Sequence, residues 1–431
     1  MTYAACLTYL FDLQRHGIKL GLDNIIKLLA RLKNPQQRFP VLHIGGTNGK
    51  GSSAAVTAGV LQSLGFRVGL YTSPHLVDFR ERIRVQGECI GEESIQEFVC
   101  RLAADSSPDC SYTFFEVTTA LAFQYFADEQ VDIGVFEVGM GGRFDATNVC
   151  RSIGTLVTTV AFDHEAYLGH TLQAIAFEKA GIFKPATPVV LGPMLDPAMK
   201  VLIQQAGMVG APVYRYGHDF RAMDPVGGVF DYEGIKHRFQ SLHCPLAGRH
   251  QLINAANALA LLEVSPIPGL SLSEDSIRRG LQQVRWDGRL ECIGHEPLVY
   301  LDGAHNPAGG QVVVEFLSEI KAQLPDRKLI VVLGMMQDKN IREFLKVIIR
   351  NVDVLILTRI DHSRAATIAE LRLAVPNGKA IIKECPDPHE AWDQAHQLAR
   401  SHDLICVTGS LFVVGYMKSL ISGRRYAPVV G

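Results

Sequence analysis

The sequence predicts an α/β protein of two domains, each built on a mainly parallel sheet. Short apolar strand candidates alternate with amphipathic helix candidates along most of the chain. That alternation breaks near residues 265–297 and then restarts. At 431 residues the chain also exceeds one ordinary domain. We therefore expect a division into residues 1–290 and 291–431.

In chain order, Pro40-Val41-Leu42 reads as a strand running into a glycine-rich turn, His43 to Ser53. A helix is expected from Ser52 to Leu64, then a strand over Val68 to Tyr71 and helices over Glu93 to Ala104 and Phe115 to Glu129. Val131 to Val138 and Ile153 to Val160 read as strands ending in polar residues, where an open α/β sheet places its ligands. A helix over Leu172 to Gly181 leads to a strand over Pro188 to Leu191. Residues 212–245 change to short alternating runs, with Gly227-Gly228 and a hairpin expected at Glu233-Gly234. Asn254 to Glu263 resumes a helix. The break holds Ser265-Pro266-Ile267-Pro268-Gly269, a helix over Glu274 to Gln283, and Arg285-Trp286-Asp287-Gly288-Arg289. Beyond it a strand at Leu298 to Leu301 and further strands near Leu329, Val354, Ala380 and Leu404 alternate with helices. This is the pattern of a smaller Rossmann-like unit.

Composition excludes several classes. Hydrophobic content of 47% and charged content of 20% describe a globular chain with ample core. A net charge of −2 makes no electrostatic case for nucleic acid or an anionic membrane as partner. No apolar stretch reaches the length of a membrane span. Asp12, Arg15 and Lys19 interrupt the apolar N-terminal residues, unlike a signal peptide. Nine scattered cysteines without a C-x-x-C pair fit reduced thiols and a cytoplasmic location.

The glycine-rich turn reads Gly45-Gly46-Thr47-Asn48-Gly49-Lys50-Gly51-Ser52-Ser53. Its glycines let the backbone turn N–H groups toward an anion. Lys50 adds a point charge for phosphates, and Ser52 or Ser53 a hydroxyl for Mg²⁺. The run departs from G-x-x-x-x-G-K-[ST] because Gly51 separates the lysine from the serine. With a strand before and a helix after, the reading is a P-loop in an ATPase domain. Glu137 ends an apolar strand, where such a fold holds Mg²⁺; the alternative is a cap on the glycine loop that follows. His164, after Asp163, is by type more often structural than a ligand, and Mg²⁺ prefers oxygen. Lys179 and Lys184 read as a solvated helix end. Asp302 follows a short strand and, with Arg289, suits a ribose or phosphate; an exposed aspartate beside a helix N-cap fits equally.

Taken together these segments resemble one family. Gly46 to Ser52, Tyr71-Thr72-Ser73-Pro74-His75-Leu76, Glu81-Arg82-Ile83, Glu137 to Arg143, Asp145-Ala146-Thr147-Asn148, Asp163-His164, Leu168-Gly169, Glu178 to Ile182 and Asp302-Gly303-Ala304-His305-Asn306-Pro307 occur in the order seen in folylpolyglutamate and dihydrofolate synthases of the Mur ligase superfamily. The resemblance spans roughly residues 40–420 and accounts for Gly51. It implies an ATP-dependent ligase that joins L-glutamate to dihydropteroate and to reduced folates through an acyl phosphate. Most bacterial relatives use both acceptors; a folate-only enzyme is the alternative. It implies ATP contacts at Gly46, Thr47, Asn48, Gly49, Lys50, Gly51, Ser52, Asn254, Arg289 and Asp302. Ser73 and Glu137 resemble ligands of one Mg²⁺, and Glu137, His164 and Lys179 those of a second. Lys179 would be carbamylated, which turns a cation into a carboxylate-like ligand. Lys50, Lys179 and His305 carry the catalytic roles, with His305 near the incoming glutamate. K⁺ is a further implied cofactor, the partners are small molecules, and a monomer is expected. Residues 285–297 would act as a hinge. Arg80 stands where relatives often have asparagine. The rival readings are a Mur-type peptidoglycan ligase and a nucleotide switch without ligase activity.

Overall fold

The structure is a computed structural model that describes residues 1–17, 21–104, 112–226, 228–324, 326–423 and 426. Its first sheet has eight strands, in the order Glu88–Cys89, Ile83–Val85, Val68–Tyr71, Ile133–Glu137, Val41–Gly45, Ser152–Val157, Val189–Leu191 and Val213–Arg215. From Val68–Tyr71 onward all neighbours are parallel. The first two strands are antiparallel additions at one edge. The chain leaves Val41–Gly45, lays down Val68–Tyr71, returns to insert Ile133–Glu137 between them, and then crosses to the other side. Val41–Gly45 therefore sits at the reversal of strand order, where open α/β sheets form a ligand crevice.

The buried strands are continuous apolar runs because both faces are covered. One face carries the helix Lys50–Ser63, packed between the sheet and helices Arg249–Val264 and Glu274–Gln283. Small residues such as Ala54, Ala55 and Ala58 let it lie close. The other face is aromatic: Phe39, Tyr71, Phe123, Phe126 and Phe136 form one buried cluster. Phe123 and Phe136 stack with centroids 4.4 Å apart. The helix Phe114–Asp128 brings Phe123 and Phe126 to this face, and helices Tyr3–Asp12 and Asp23–Arg31 pack on that helix; sequence patterning did not single out these two.

The expected hairpin is present. Strands Val229–Glu233 and Arg238–His243 pair with Glu233 opposite Arg238, in a three-stranded antiparallel sheet with Arg221–Val226. Gly227 of the Gly227-Gly228 turn lies outside the described residues. The second large sheet has the order Glu291–His295, Leu298–Leu301, Leu404–Thr408, Leu329–Leu333, Val354–Leu357 and Ile381–Glu384. Its first strand is antiparallel and the rest parallel. Residues 291–295 lie in the expected hinge, yet they form an edge strand. Antiparallel pairing with Leu298–Leu301 supplies their backbone partners, so they need no long apolar run.

The helix after the glycine turn starts at Lys50, two residues earlier than patterning suggests. Gly49, at φ +85°, makes the turn, so the chain is already helical at Lys50. The described residues hold no helix long and apolar enough to cross a membrane, and the eight cysteines among them are free.

Phe136→Ala removes a ring that touches four others in the aromatic cluster. We expect it to cost about 3–5 kcal/mol, read as an earlier midpoint of the first urea transition. An unchanged midpoint would show that this face does not carry the sheet.

Candidate active site

The glycine turn is pinned to the neighbouring strand end before it reaches any ligand. Thr47 N–H donates to Thr159 O (2.8 Å), Thr158 Oγ1 donates to Asn48 O (2.6 Å), and Ala161 N–H donates to Thr47 Oγ1 (3.0 Å). Lys50 Nζ donates to Thr47 O at 3.1 Å, which folds the side chain over the turn. The helix N-terminus adds its free N–H groups and positive dipole end. A Cβ on Gly49 would lie 2.4 Å from Asn254 Oδ1, so the Arg249–Val264 helix is seated directly on the turn. Ser52 is buried and lines the cleft, whereas Ser53 Oγ is spent on Asn254 O.

Glu137 ends its strand in the cleft and is buried. Its Oε2 accepts from Ser73 N–H at 3.1 Å. Burial raises its carboxyl above the ordinary value, opposed by Lys50, the Ser73 N–H, Arg289 and Arg82. A buried carboxylate beside a hydroxyl residue suits a hard cation, and oxygen donors suit Mg²⁺. Among the described residues no three His, Cys, Asp or Glu side chains converge as a metal cluster. An ion at Ser73 and Glu137 would complete its shell with phosphate and water oxygens, as Mg²⁺ commonly does.

Lys179 corrects the reading of a solvated helix end. It is 3% exposed, and its Nζ donates to Gly46 O at 2.9 Å. The helix Leu172–Ala180 ends against the glycine turn rather than in solvent. Burial and the Lys50 charge push its amine down to about 7, so a large neutral fraction exists at physiological pH. A neutral amine is the form that reacts with CO₂. Lys184 is half-buried and bonds Asn148 O and Oδ1, away from the cleft. His164 lies in the left-handed region at φ +51°, partly exposed, with its imidazole pushed down to about 4 by burial and Lys339. It is neutral near pH 7 and able to ligate.

The second domain closes the cleft. His305 Nδ1 donates to Gly303 O at 2.8 Å, which turns Nε2 toward Asp163 Oδ2 at 3.3 Å. Lys339 Nζ reaches Asp163 Oδ1 at 2.7 Å, both side chains nearly buried, and Asn306 Nδ2 reaches Oδ2 at 3.2 Å. Asn48 and Asn306 exchange amide hydrogen bonds at 3.0 and 3.1 Å. Burial opposes the Asp163 charge, yet His305 and Lys339 outweigh it and hold the carboxyl well below its usual range. Asp302 is buried, not exposed, and the helix N-cap is Asn306. The Asp302 oxygens accept from Ala304 and Leu290 N–H, both at 2.8 Å. Burial raises its carboxyl against the Arg289 charge.

Residues 46–52 thus share one solvent-open cleft with Ser73, Glu137, His164, Lys179, Asn254, Arg289, Asp302 and His305. Arg80 is not among its lining residues and pairs with Asp78 at 2.7 Å. Lys339 was missed by sequence reasoning, although it follows the strand Leu329–Leu333 by the rule that drew attention to Glu137.

Residues 44–262 match the Mur ligase middle domain, and residues 288–411 the Mur ligase, glutamate ligase domain. A dihydrofolate synthase/folylpolyglutamate synthase of Bacillus subtilis is 33% identical, covering 94% of this chain and 95% of the relative. The E. coli FolC structure in complex with DHPP and ADP superposes with a TM-score of 0.89 at 31% identity, covering 98% of each chain. A bifunctional folylpolyglutamate synthase/dihydrofolate synthase with Mn, AMPPNP and L-glutamate bound gives 0.87 at 32% identity, again covering 98% of each.

Lys339→Met leaves the buried Asp163 carboxylate with fewer partners, and we expect a loss of about 3 kcal/mol in urea unfolding. Because the Asp163 carboxyl is held low, its contribution is complete above its unfolded pKa and disappears as pH falls toward the folded value. The gap between wild type and variant should therefore hold from about pH 8 to about pH 5 and shrink in stronger acid. Equal stability of the two proteins at neutral pH would remove this pair from the domain interface.

Proposed function

The chain belongs to the Mur ligase superfamily, in its folylpolyglutamate and dihydrofolate synthase branch, and on that premise we propose the roles of its cleft residues. The protein is an ATP-dependent ligase that adds L-glutamate to dihydropteroate and to reduced folates. The observation that carries the residue assignment is that the glycine turn, the buried Glu137 and Lys179, and His305 of the second sheet face one cleft. We place the domain division at residues 290 and 291, where the second sheet begins.

In the reaction the acceptor carboxylate oxygen attacks the γ-phosphorus of ATP, and the bond to the ADP oxygen breaks. The glutamate amine nitrogen then attacks the acyl carbon. Phosphate leaves with the electron pair of the C–O bond, and the amine proton goes to solvent. The protein's share is alignment and charge neutralisation. Lys50 and the free N–H groups of the first turn of the helix Lys50–Ser63 hold the phosphates, while the Thr47 and Asn48 N–H groups are spent on Thr159 and fix the turn. Asn254, packed on Gly49, and Arg289 with Asp302 bound the nucleotide from either side of the cleft. Ser73 and Glu137 would hold one Mg²⁺, and Glu137, His164 and Lys179 as its carbamate a second. When bound, such a cation would neutralise charge that builds on the phosphates. His305, turned by Gly303 O, faces the entering glutamate. K⁺ is proposed as a further cofactor on the family resemblance alone. A monomer suffices, since one chain supplies both walls of the cleft.

Radiolabelled glutamate offered with dihydropteroate and, separately, with tetrahydrofolate tests the acceptor range. Incorporation is expected with both. Incorporation with tetrahydrofolate alone would restrict the enzyme to folates, and none with either would sink the reading. Lys179→Ala should lower ligation by about 10²-fold or more while ATP still binds. A carbamate ¹³C resonance should appear in labelled bicarbonate and vanish in that variant. Wild-type incorporation by Lys179→Ala would refute the carbamate role.

A further inference from the structure

Gly51 is the second residue of the helix Lys50–Ser63, and its backbone is not in the left-handed region. Any L-residue can adopt that conformation, and a helix favours alanine over glycine there. The reason for glycine lies outside the helix. A Cβ at Gly51 would sit 2.8 Å from Trp286 Cζ2, 2.9 Å from Nε1 and 3.1 Å from Cε2. These atoms belong to a rigid ring, not to the tip of a flexible chain. The indole is itself held: it packs against the buried core beneath that helix, and the Arg84 guanidinium lies 6.0 Å from its ring.

Trp286 stands in the linker between the two sheets. Two residues on, Gly288 O accepts from Gly303 N–H at 2.9 Å. Arg289 then lines the cleft, and Leu290 N–H donates to Asp302 Oδ2. The path from the Gly51 contact to Asp302 is therefore short and hydrogen-bonded at each step on the second-domain side. We propose that Trp286 is a positioning residue: its indole, seated in the space left by the missing Gly51 side chain, registers the linker on the phosphate turn. That register sets where Arg289 and Asp302 stand relative to the phosphates at Lys50. The inference rests on the ligase reading above and assigns a role to the linker within it.

The test is a size exchange across this contact. Gly51→Ala should lower kcat about 10- to 100-fold through misplacement of the cleft walls. Trp286→Phe keeps an aromatic filler with a smaller ring system, so Gly51→Ala/Trp286→Phe should recover roughly tenfold over Gly51→Ala, which additive behaviour forbids. Trp286→Ala should lower kcat by about tenfold or more and raise the KM for ATP, with both enzymes compared at a temperature where each remains folded. A double variant no better than Gly51→Ala, or a Trp286→Ala enzyme with wild-type kcat, overturns the proposal. Wild-type enzyme assayed alongside separates the two levels: without glutamate incorporation there, the ligase reading fails; with it, an additive double variant fails only the role of Trp286.

Discussion

The reversal of strand order at Val41–Gly45 is the constraint on which the rest of the structure depends. Ile133–Glu137 lies on one side of that strand and Ser152–Val157 on the other. All three run parallel, so their carboxyl ends open on one edge. The glycine turn, Glu137 and the segment from Thr158 to His164 are delivered there by connectivity alone. Local chemistry then refines the placement. Thr158 and Thr159 tie the turn down, and the Arg249–Val264 helix presses Asn254 against it.

The cleft is a place of mutually compensated charge. Burial alone would discharge Glu137, Asp302 and Lys179, and it shifts each toward its neutral form. Lys50 and Arg289 counter this at Glu137 and Arg289 at Asp302, whereas Lys50 lowers Lys179 further. A phosphate-rich ligand with a divalent ion enters a site already arranged to receive charge without large reorganisation. Asp163 is the exception, since its three partners from the second domain keep it ionised. It acts as the first domain's half of an interdomain clasp.

The linker has two attachments of different kind. On the first domain it is held by shape, with Trp286 over Gly51. On the second it is held by hydrogen bonds, with Gly288 to Gly303 and Leu290 to Asp302. Lys418 adds ion pairs to Asp287 and Glu291, both at the second-domain end.

The sequence by itself determined the alternating architecture, most strand positions and the phosphate turn. These follow from short-range periodicity and from glycine placement, both local properties of the chain. Val68–Tyr71, Glu274–Gln283 and Leu298–Leu301 were readable to the residue for that reason. The ordered motifs also singled out Glu137, Lys179, Asp302 and His305, which the fold brings to one cleft. Only the tertiary structure decided their environments. Lys179 looked like a solvated lysine because a helix end carries no record of what packs on it. Asp302 looked exposed because its partners, Leu290 and Ala304, are backbone groups without a sequence signature. Lys339 and Trp286 were invisible as site residues for the same reason. Their meaning lies in Asp163, far away along the chain, and in an atom that Gly51 lacks, and burial and contact between distant segments exist only once the chain has folded.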